Sequence, residues 1–240
     1  MRKSSYCETA VKYVVVSRVG KVILMSSQDI ILSERQFFVE TIEGLKPAEW
    51  QASTLCVGWS VEDLASHLIV RERGGLIARL GIVLPFLHQK HDTAILKTKQ
   101  KSHNELIKIL AKPPFWVKRF PFNVIEFFVH NEDLLRGELK RKRVLSDELE
   151  QALSGYVPQL MRLAFRKVSG GFNLIVHDET VGAVYHRHFG GAAEGAPELE
   201  LTATAGELVL LFAGRGRHAK VHVSGSAEAK RLYAIADIGL

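Results

Sequence analysis

Two histidines and one glutamate offer the residue types of a metal site. Glu126 and His130 are four residues apart, so on a helix they share one face, a turn apart. His67 lies between Leu64 and Leu68 in another segment of helical periodicity. Two imidazoles and one carboxylate bind a divalent ion such as zinc and leave one position open for water or substrate. Such a site can lower the pKa of a bound water or hold a thiolate.

The spacing of these residues leaves two interpretations open. Glu-x-x-x-His pairs also occur on helix surfaces without a metal, and a histidine on an apolar face is often a hydrogen-bonded part of the core. The phenylalanines around Glu126, at 122, 127 and 128, predict an apolar helix. A carboxylate in such a setting must find partners, because burying an unpaired charge is costly.

Four segments in residues 25–145 are predicted to be the helices that position this site. Apolar residues recur at helical spacing from Ile31 to Leu45, and Ser60-x-x-Asp63 is typical of a capping box that opens a helix running to about Leu80. Residues 99–111 and 121–138 supply the third and fourth helices. Antiparallel packing of four such segments predicts a four-helix bundle.

Residues 146–240 have a different pattern and are predicted to form a small α+β unit. A helix over 147–167 is followed by alternating apolar residues from Phe172 onward, with a hairpin turn at 178–180. A strand around Leu199 and Leu201, a helix over 205–213, a strand around Val221 and Val223, and a helix over 226–236 complete it. The predicted fold class is therefore α+β.

Composition narrows the class of protein. The 240 residues are 47% hydrophobic and 24% charged, as in ordinary globular chains, and no apolar run approaches the ~18 residues of a membrane span. Cys7 and Cys56 cannot build a disulfide framework, which favours a reducing, cytoplasmic location. The absence of Cys-x-x-Cys excludes a thiolate zinc finger.

The net charge of +6 does not indicate a nucleic-acid partner. Residues 1–24 hold five basic residues against Glu8, and the rest of the chain is close to balanced. Helical periodicity begins after Met25, so we expect Met25 to be the natural start and residues 1–24 an upstream extension; a basic tail is the alternative. The run Lys140–Arg143 follows a helix and is interpreted as its solvated end, with a phosphate-binding patch as the alternative.

Three separated motifs resemble one family. The first is Thr54-Leu55-Cys56-x-Gly58-Trp59-Ser60-Val61-x-Asp63-Leu64-Ala65-x-His67-Leu68. It is similar to the signature of the mycothiol-dependent maleylpyruvate isomerase N-terminal family, within the DinB/YfiT-like actinobacterial metal-binding bundles. Residues 124–133 and 206–215 fit the same family, so the resemblance covers about 26–236.

The resemblance implies a DinB-like bundle followed by a small sterol-carrier-like domain. It also implies that His67, Glu126 and His130 bind a divalent metal, zinc or alternatively nickel. The expected activity is that of a transferase or isomerase that uses mycothiol or a similar small thiol on an electrophilic substrate. A metal-binding module without turnover and a metal-dependent hydrolase are the alternatives. Family members often have a histidine where this chain has Asn131, and Arg71 is the nearest candidate for the isomerase's catalytic arginine.

Further residues have two interpretations each. Arg215 and Arg217, in a glycine-rich turn, are predicted to bind the sugar or carboxylate of the thiol cofactor, with a solvated loop as the alternative.

Cys56 is expected to be structural, although its place before a helix could lower its thiol pKa. Asp133 either orients His130 or lies on the surface. His186 and His188 share a strand face, but a metal there needs another ligand. The oligomeric state, a homodimer included, is left open.

Overall fold

The computed structural model describes residues 25–74, 88–166, 168, 171–189, 195–235 and 238. The predicted extension 1–24, the predicted end of the second helix near Leu80 and residues 190–194 lie outside these ranges. Helices and a four-stranded sheet make up the described part, so the predicted α+β class is confirmed. No helix among the described residues is both long and apolar enough to cross a membrane.

Among the described residues, seven helices precede the first strand and two come later in the chain. In chain order they are α1 Ser27–Glu43, α2 Val61–Arg73, α3 His88–Thr98, α4 His103–Leu110, α5 Asn123–Arg136, α6 Asp147–Ser154, α7 Val157–Ala164, α8 Ala205–Leu210 and α9 Ala227–Ile235. The 3₁₀ turns are Pro47–Gln51 and Val117–Arg119, and a π turn, Leu211–Arg215, follows α8.

Capping boxes that begin with a serine mark the starts of α2 and α4. Ser60 and Asp63 form the predicted capping box, with Asp63 N donating to Ser60 Oγ at 3.2 Å. A second box, Ser102 with Glu105, starts α4 at His103. The predicted single helix over 99–111 is therefore wrong at its start, and the separate helix α3 before it was not predicted. The predicted helix over 147–167 is also two helices, which divide near Gly155.

The helices that carry the chemistry pack around one apolar core. α1 packs on α5, while α2 packs on α3 and α4. Leu64 and Leu68 of α2 and Phe127 and Phe128 of α5 are fully buried. Because His67 lies between the two leucines and Glu126 precedes the two phenylalanines, the same packing brings both polar residues to the boundary between α2 and α5.

The sheet has the strand order β2-β1-β3-β4, with β1 Phe172–Asp178, β2 Ala183–Phe189, β3 Glu198–Ala203 and β4 His222–Gly225. β1 pairs antiparallel with β2 and parallel with β3, and β3 pairs antiparallel with β4. Leu174 and Val176 lie opposite Leu199 and Leu201, and all four are buried. The alternation predicted for β1 is confirmed, since every second residue faces the core.

Contacts between the C-terminal part and α5 fix the position of the π turn. Arg136 of α5 donates to both carboxylate oxygens of Glu207 in α8, at 2.9 and 3.0 Å, and to the backbone oxygen of His218 at 2.8 Å. One hydrophobic core runs from α1 to the sheet. The turn after α8 is therefore held against the C-terminal half of α5, beside His130.

Candidate metal centre

The structure brings the three predicted ligands together. His67 Nε2 lies 3.6 Å and His130 Nε2 lies 3.2 Å from the same oxygen, Glu126 Oε1. The two imidazole rings are 5.2 Å apart between centroids. Both histidines are buried, whereas 26% of the Glu126 side chain is exposed. The arrangement is a buried pair of imidazoles with a carboxylate at the solvent boundary.

The donor atoms fit a divalent ion. Nitrogen and oxygen ligands at ~2.0–2.1 Å from a tetrahedral zinc lie roughly 3.3 Å from one another. The two contacts to Glu126 Oε1, at 3.2 and 3.6 Å, bracket that spacing, and the three ligand atoms lie within 4.8 Å of one another. The same atoms are also ion-pair partners of one another, since both imidazole nitrogens lie within 4 Å of one carboxylate oxygen.

Arg71 holds the carboxylate of Glu126 from the side of α2. Its Nε lies 2.9 Å from Glu126 Oε1, and its Nη2 donates to Asn123 Oδ1 at 2.7 Å. Burial raises the pKa of Glu126, but the hydrogen bonds from His130 and His67 and the charge of Arg71 outweigh it and hold that pKa well below its usual value. Glu126 is therefore a carboxylate, the form in which it can bind a cation.

His130 is held by a buried carboxylate. Its Nδ1 lies 3.0 Å from Asp133 Oδ2, and Asp133 is fully buried. Arg215 donates to both oxygens of Asp133, at 2.7 and 2.9 Å. Burial opposes the charge on His130, but hydrogen bonds with Asp133, Cys56 and Glu126 raise its pKa well above the usual value. Against its own burial, Asp133 has a pKa of about 2 because His130 and Arg215 donate to it.

His67 is held by another imidazole. Its Nδ1 lies 3.0 Å from His91 Nε2, and His91 is buried. The ring of Trp59 lies 4.9 Å from that of His67. Burial is the main reason that the pKa of His67 falls to about 4, so this imidazole is neutral at neutral pH. Sequence reasoning missed His91 because α3 itself was not predicted; the motif His88-x-x-His91 was the available signal.

Cys56 lies next to the site through a turn that is tied to α5. Leu55 N donates to the Asp133 backbone oxygen at 3.1 Å, and Gly58 takes the left-handed φ of 78° that closes the turn. Cys56 Sγ is 3.2 Å from Asp133 Oδ2. Cys56, His130 and Asp133 are thus a second trio of potential ligands, although Arg215 already neutralises the carboxylate of Asp133.

The other candidate residues have distinct surroundings. Gly214, at φ 82°, turns the chain so that Arg215 reaches Asp133, whereas Arg217 is exposed. Their predicted contact with a thiol cofactor stays a prediction. His186 and His188 are exposed on β2, and no group of three potential ligands within the described residues includes either of them. Asp133 is confirmed as a partner of His130 and is not a surface residue.

Comparisons with known proteins indicate one family and one fold. Residues 31–81 match the family model described as the mycothiol maleylpyruvate isomerase N-terminal domain, so the resemblance predicted from the motifs is confirmed. Two crystal structures of mycothiol-dependent maleylpyruvate isomerase share the fold at 13% identity. The wild-type structure has a TM-score of 0.50 and a histidine-to-alanine mutant 0.52, each covering 82% of this chain and 91% of the other. No curated protein matches the chain.

Proposed function

We propose that this protein is a divalent-metal-dependent isomerase or transferase that uses a small thiol, mycothiol or a similar molecule, to process an electrophilic substrate. The observation that carries the proposal is the convergence of His67 Nε2, His130 Nε2 and Glu126 Oε1, with Glu126 partly exposed. Three ligands with an accessible side are the arrangement of catalytic zinc sites, whereas structural sites are closed. The family match at residues 31–81 supports the thiol chemistry.

In this proposal His67, Glu126 and His130 hold the ion, zinc or alternatively nickel. The bound ion would act as a Lewis acid that favours the thiolate form of the cofactor. The imidazoles present Nε2 to the site, and each Nδ1 is fixed from behind by His91 or Asp133. Such partners set the tautomer and the ring orientation of a metal-binding histidine.

Arg71 is proposed to bind an anionic group of the substrate while it orients Glu126. Its Nη1 is buried and has no hydrogen-bond partner among the described residues. A buried guanidinium nitrogen without an acceptor costs free energy, which an incoming carboxylate would recover. Nε and Nη2 are already engaged by Glu126 and Asn123, so the guanidinium is fixed in place before substrate arrives.

Two further assignments remain proposals. The helical part, residues 25–145, is interpreted as a DinB-like bundle in which the described residues form five helices, α1 to α5, and not the four predicted. Residues 146–240 are interpreted as a sterol-carrier-like domain. Arg215 and Arg217 are proposed to bind the thiol cofactor at the bundle mouth. Since Asp133 engages Arg215, the exposed Arg217 is the freer contact. Arg217→Ala should then weaken thiol binding, measured by calorimetry, and leave the metal content unchanged.

The activity is tested by thiol consumption. Protein loaded with zinc is incubated with mycothiol, or with glutathione as a second probe, and a panel of electrophiles that includes maleylpyruvate. We expect thiol-dependent turnover that chelation abolishes and zinc restores. Glu126→Gln should reduce it strongly, and the matched variant Glu179→Gln, at an exposed site in the β1–β2 turn, should not. Cleavage of esters or amides without thiol would instead identify a hydrolase, and retained metal with no turnover a binding module.

A further inference from the structure

A basic pocket lies apart from the metal centre and is not used by the proposed function. It occupies about 280 Å³ between the Lys140–Arg143 run and the turn that leads into β4. We define it by six of its lining residues: Arg136, Lys140, Lys142, Arg143, Glu207 and Lys220. The run that the sequence analysis singled out therefore forms one wall of a concave site.

The floor of the basic pocket is an assembled network of ion pairs. Arg136 Nε lies 2.6 Å and Arg143 Nε 2.8 Å from the two oxygens of Glu132, which is buried. Arg136 also binds both oxygens of Glu207, and Arg143 binds Glu34 at 2.7 Å. The carboxylates of the floor are thus satisfied by arginines, and they do not need the lysines above them.

The rim of the pocket carries three lysines without such partners. Lys140, Lys142 and Lys220 are exposed, and none of their ammonium groups has an ion pair or hydrogen bond among the described residues. Lys140 has a φ of 50°, and it is the one residue other than glycine with a positive φ in the part of the chain that the structure describes. This conformation is disfavoured for lysine, so the turn from Gly137 holds Lys140 at the rim at some cost.

The charge balance indicates the kind of ligand. Two more charged residues, Arg141 and Glu132, line the pocket beside the six that define it. The lining then holds six lysines and arginines and two glutamates, a net charge of +4 with histidine neutral. Glu34 and Glu49 neutralise Arg143 and Arg141 from outside, which leaves +2. The pocket is at the small end of ligand sites, which span roughly 300–1,000 Å³. These values favour a small dianion over a macromolecule.

We propose that the basic pocket binds a small molecule through its phosphate group. The available donors are lysines, which bind phosphate as mobile point charges, whereas the forked guanidinium groups that recognise carboxylates in pairs are already occupied. Phosphate carries close to two negative charges at neutral pH, which matches the uncompensated charge of the pocket. The site is independent of the metal centre, so it does not rest on the proposed activity.

The test is calorimetric titration of the full chain with inorganic pyrophosphate and inorganic phosphate at fixed ionic strength. The triple variant K140Q/K142Q/K220Q is compared with K97Q/K101Q/K108Q, which removes the same charge from exposed positions elsewhere. We expect saturable binding that is ~10-fold or more weaker in the first variant and within about twofold of wild type in the second. K220Q alone should give an intermediate loss, which guards against a folding defect in the triple variant.

Three results would overturn the proposal. The first is the absence of saturable binding of either anion to the wild-type chain. The second is an equal loss of affinity in both triple variants, because that shows a dependence on net charge and not on this pocket. The third is equally tight binding of citrate, which would assign the pocket to carboxylates. Metal content measured on the same samples separates these outcomes from a failure of the metal centre.

Discussion

The two histidines of the candidate centre differ in what stands behind them. His130 is supported by a charged chain, in which Asp133 accepts from its Nδ1 and Arg215 donates to Asp133. His67 is supported by another imidazole, that of His91, which brings no negative charge to the site. The consequence is a pair of opposite shifts, since the pKa of His67 falls to about 4 while that of His130 rises well above its usual value. One ligand is ready for a metal at neutral pH, and the other must first lose a proton.

The two histidines should therefore contribute to metal binding in different ways. His67 is already neutral at neutral pH, so no proton competes with a metal there, but an imidazole partner adds less basicity than a carboxylate does. His130 gains basicity from the Asp133 carboxylate, and its proton competes with the metal. Substitutions that remove or weaken one support should therefore affect metal binding unequally.

Removing both imidazoles should abolish metal binding. The double variant H67A/H130A is expected to retain no stoichiometric zinc, because Glu126 alone is a weak site, whereas wild type should hold about one ion per chain. Metal content after dialysis, measured by mass spectrometry, gives the answer. H186A/H188A is the matched control, since it removes two exposed histidines. Full occupancy in H67A/H130A would refute the assignment of the ligands.

Neutralising the support of His130 should weaken metal binding more than any other change outside the ligands. Asp133→Asn keeps the size of the side chain but removes the charge that faces His130 and Arg215. We expect zinc affinity to fall by up to about 100-fold, the upper range for partners of metal-binding histidines. Competition with a chromophoric chelator measures it. An unchanged affinity would mean that Asp133 serves only the packing of Arg215.

Removing the support of His67 should have a smaller effect. His91→Phe deletes a hydrogen bond that involves no carboxylate, and hydrogen bonds to a carboxylate are the stronger kind, so we expect a loss of only about tenfold in zinc affinity. His91→Gln can still accept from His67 Nδ1 and should recover part of it. If His91→Phe matched the loss in Asp133→Asn, the contrast between the two supports would be wrong.

The pH dependence of stability should show the two histidines separately in metal-free protein. Because the folded-state pKa of His67 is about 4, below the ordinary 6.5, its neutral form stabilises the fold above pH 6.5, and that contribution is lost as the pH falls towards 4. Between these pH values, the free energy of unfolding changes by at most about 1.4 kcal/mol per pH unit because of His67. His130, with its raised pKa, acts in the opposite direction above pH 6.5.

Urea unfolding of chelator-treated protein between pH 4 and 6.5 measures this slope. His67→Phe should reduce it by the equivalent of one proton, whereas His186→Phe, at an exposed position, should leave it unchanged. An identical slope in wild type and His67→Phe would show that His67 is not held neutral in the folded state.

The three candidate ligands could be singled out from the sequence because helix periodicity is a local property. Glu126 and His130 share a face by their spacing alone, and the capping box at Ser60 fixed the register of His67 on α2. The family motif then related the two helices, which periodicity cannot do. Asp133 lies three residues after His130 on α5, and its contact with His130 was one of the two roles predicted for it.

Two partners that come from distant segments of the chain, His91 and Arg215, were harder to predict. His91 contacts His67 across 24 residues and lies on α3, a helix whose residues are mostly polar and therefore give a weak apolar pattern. Arg215 was predicted to bind a ligand at the bundle mouth, but the structure engages it with Asp133 across 82 residues. The first pair depends on how α3 packs on α2, and the second on how the C-terminal part packs on α5; no local pattern encodes either.

The most direct test of the account is X-ray absorption spectroscopy of the zinc-loaded protein. If His67, Glu126 and His130 bind the ion, the first shell holds only nitrogen and oxygen at about 2.0–2.1 Å, with the outer-shell scattering of two imidazoles. The competing trio, Cys56, His130 and Asp133, would add a sulfur at about 2.3 Å and leave one imidazole. A spectrum with two imidazoles and no sulfur is what we predict, and a sulfur ligand would contradict the proposed centre.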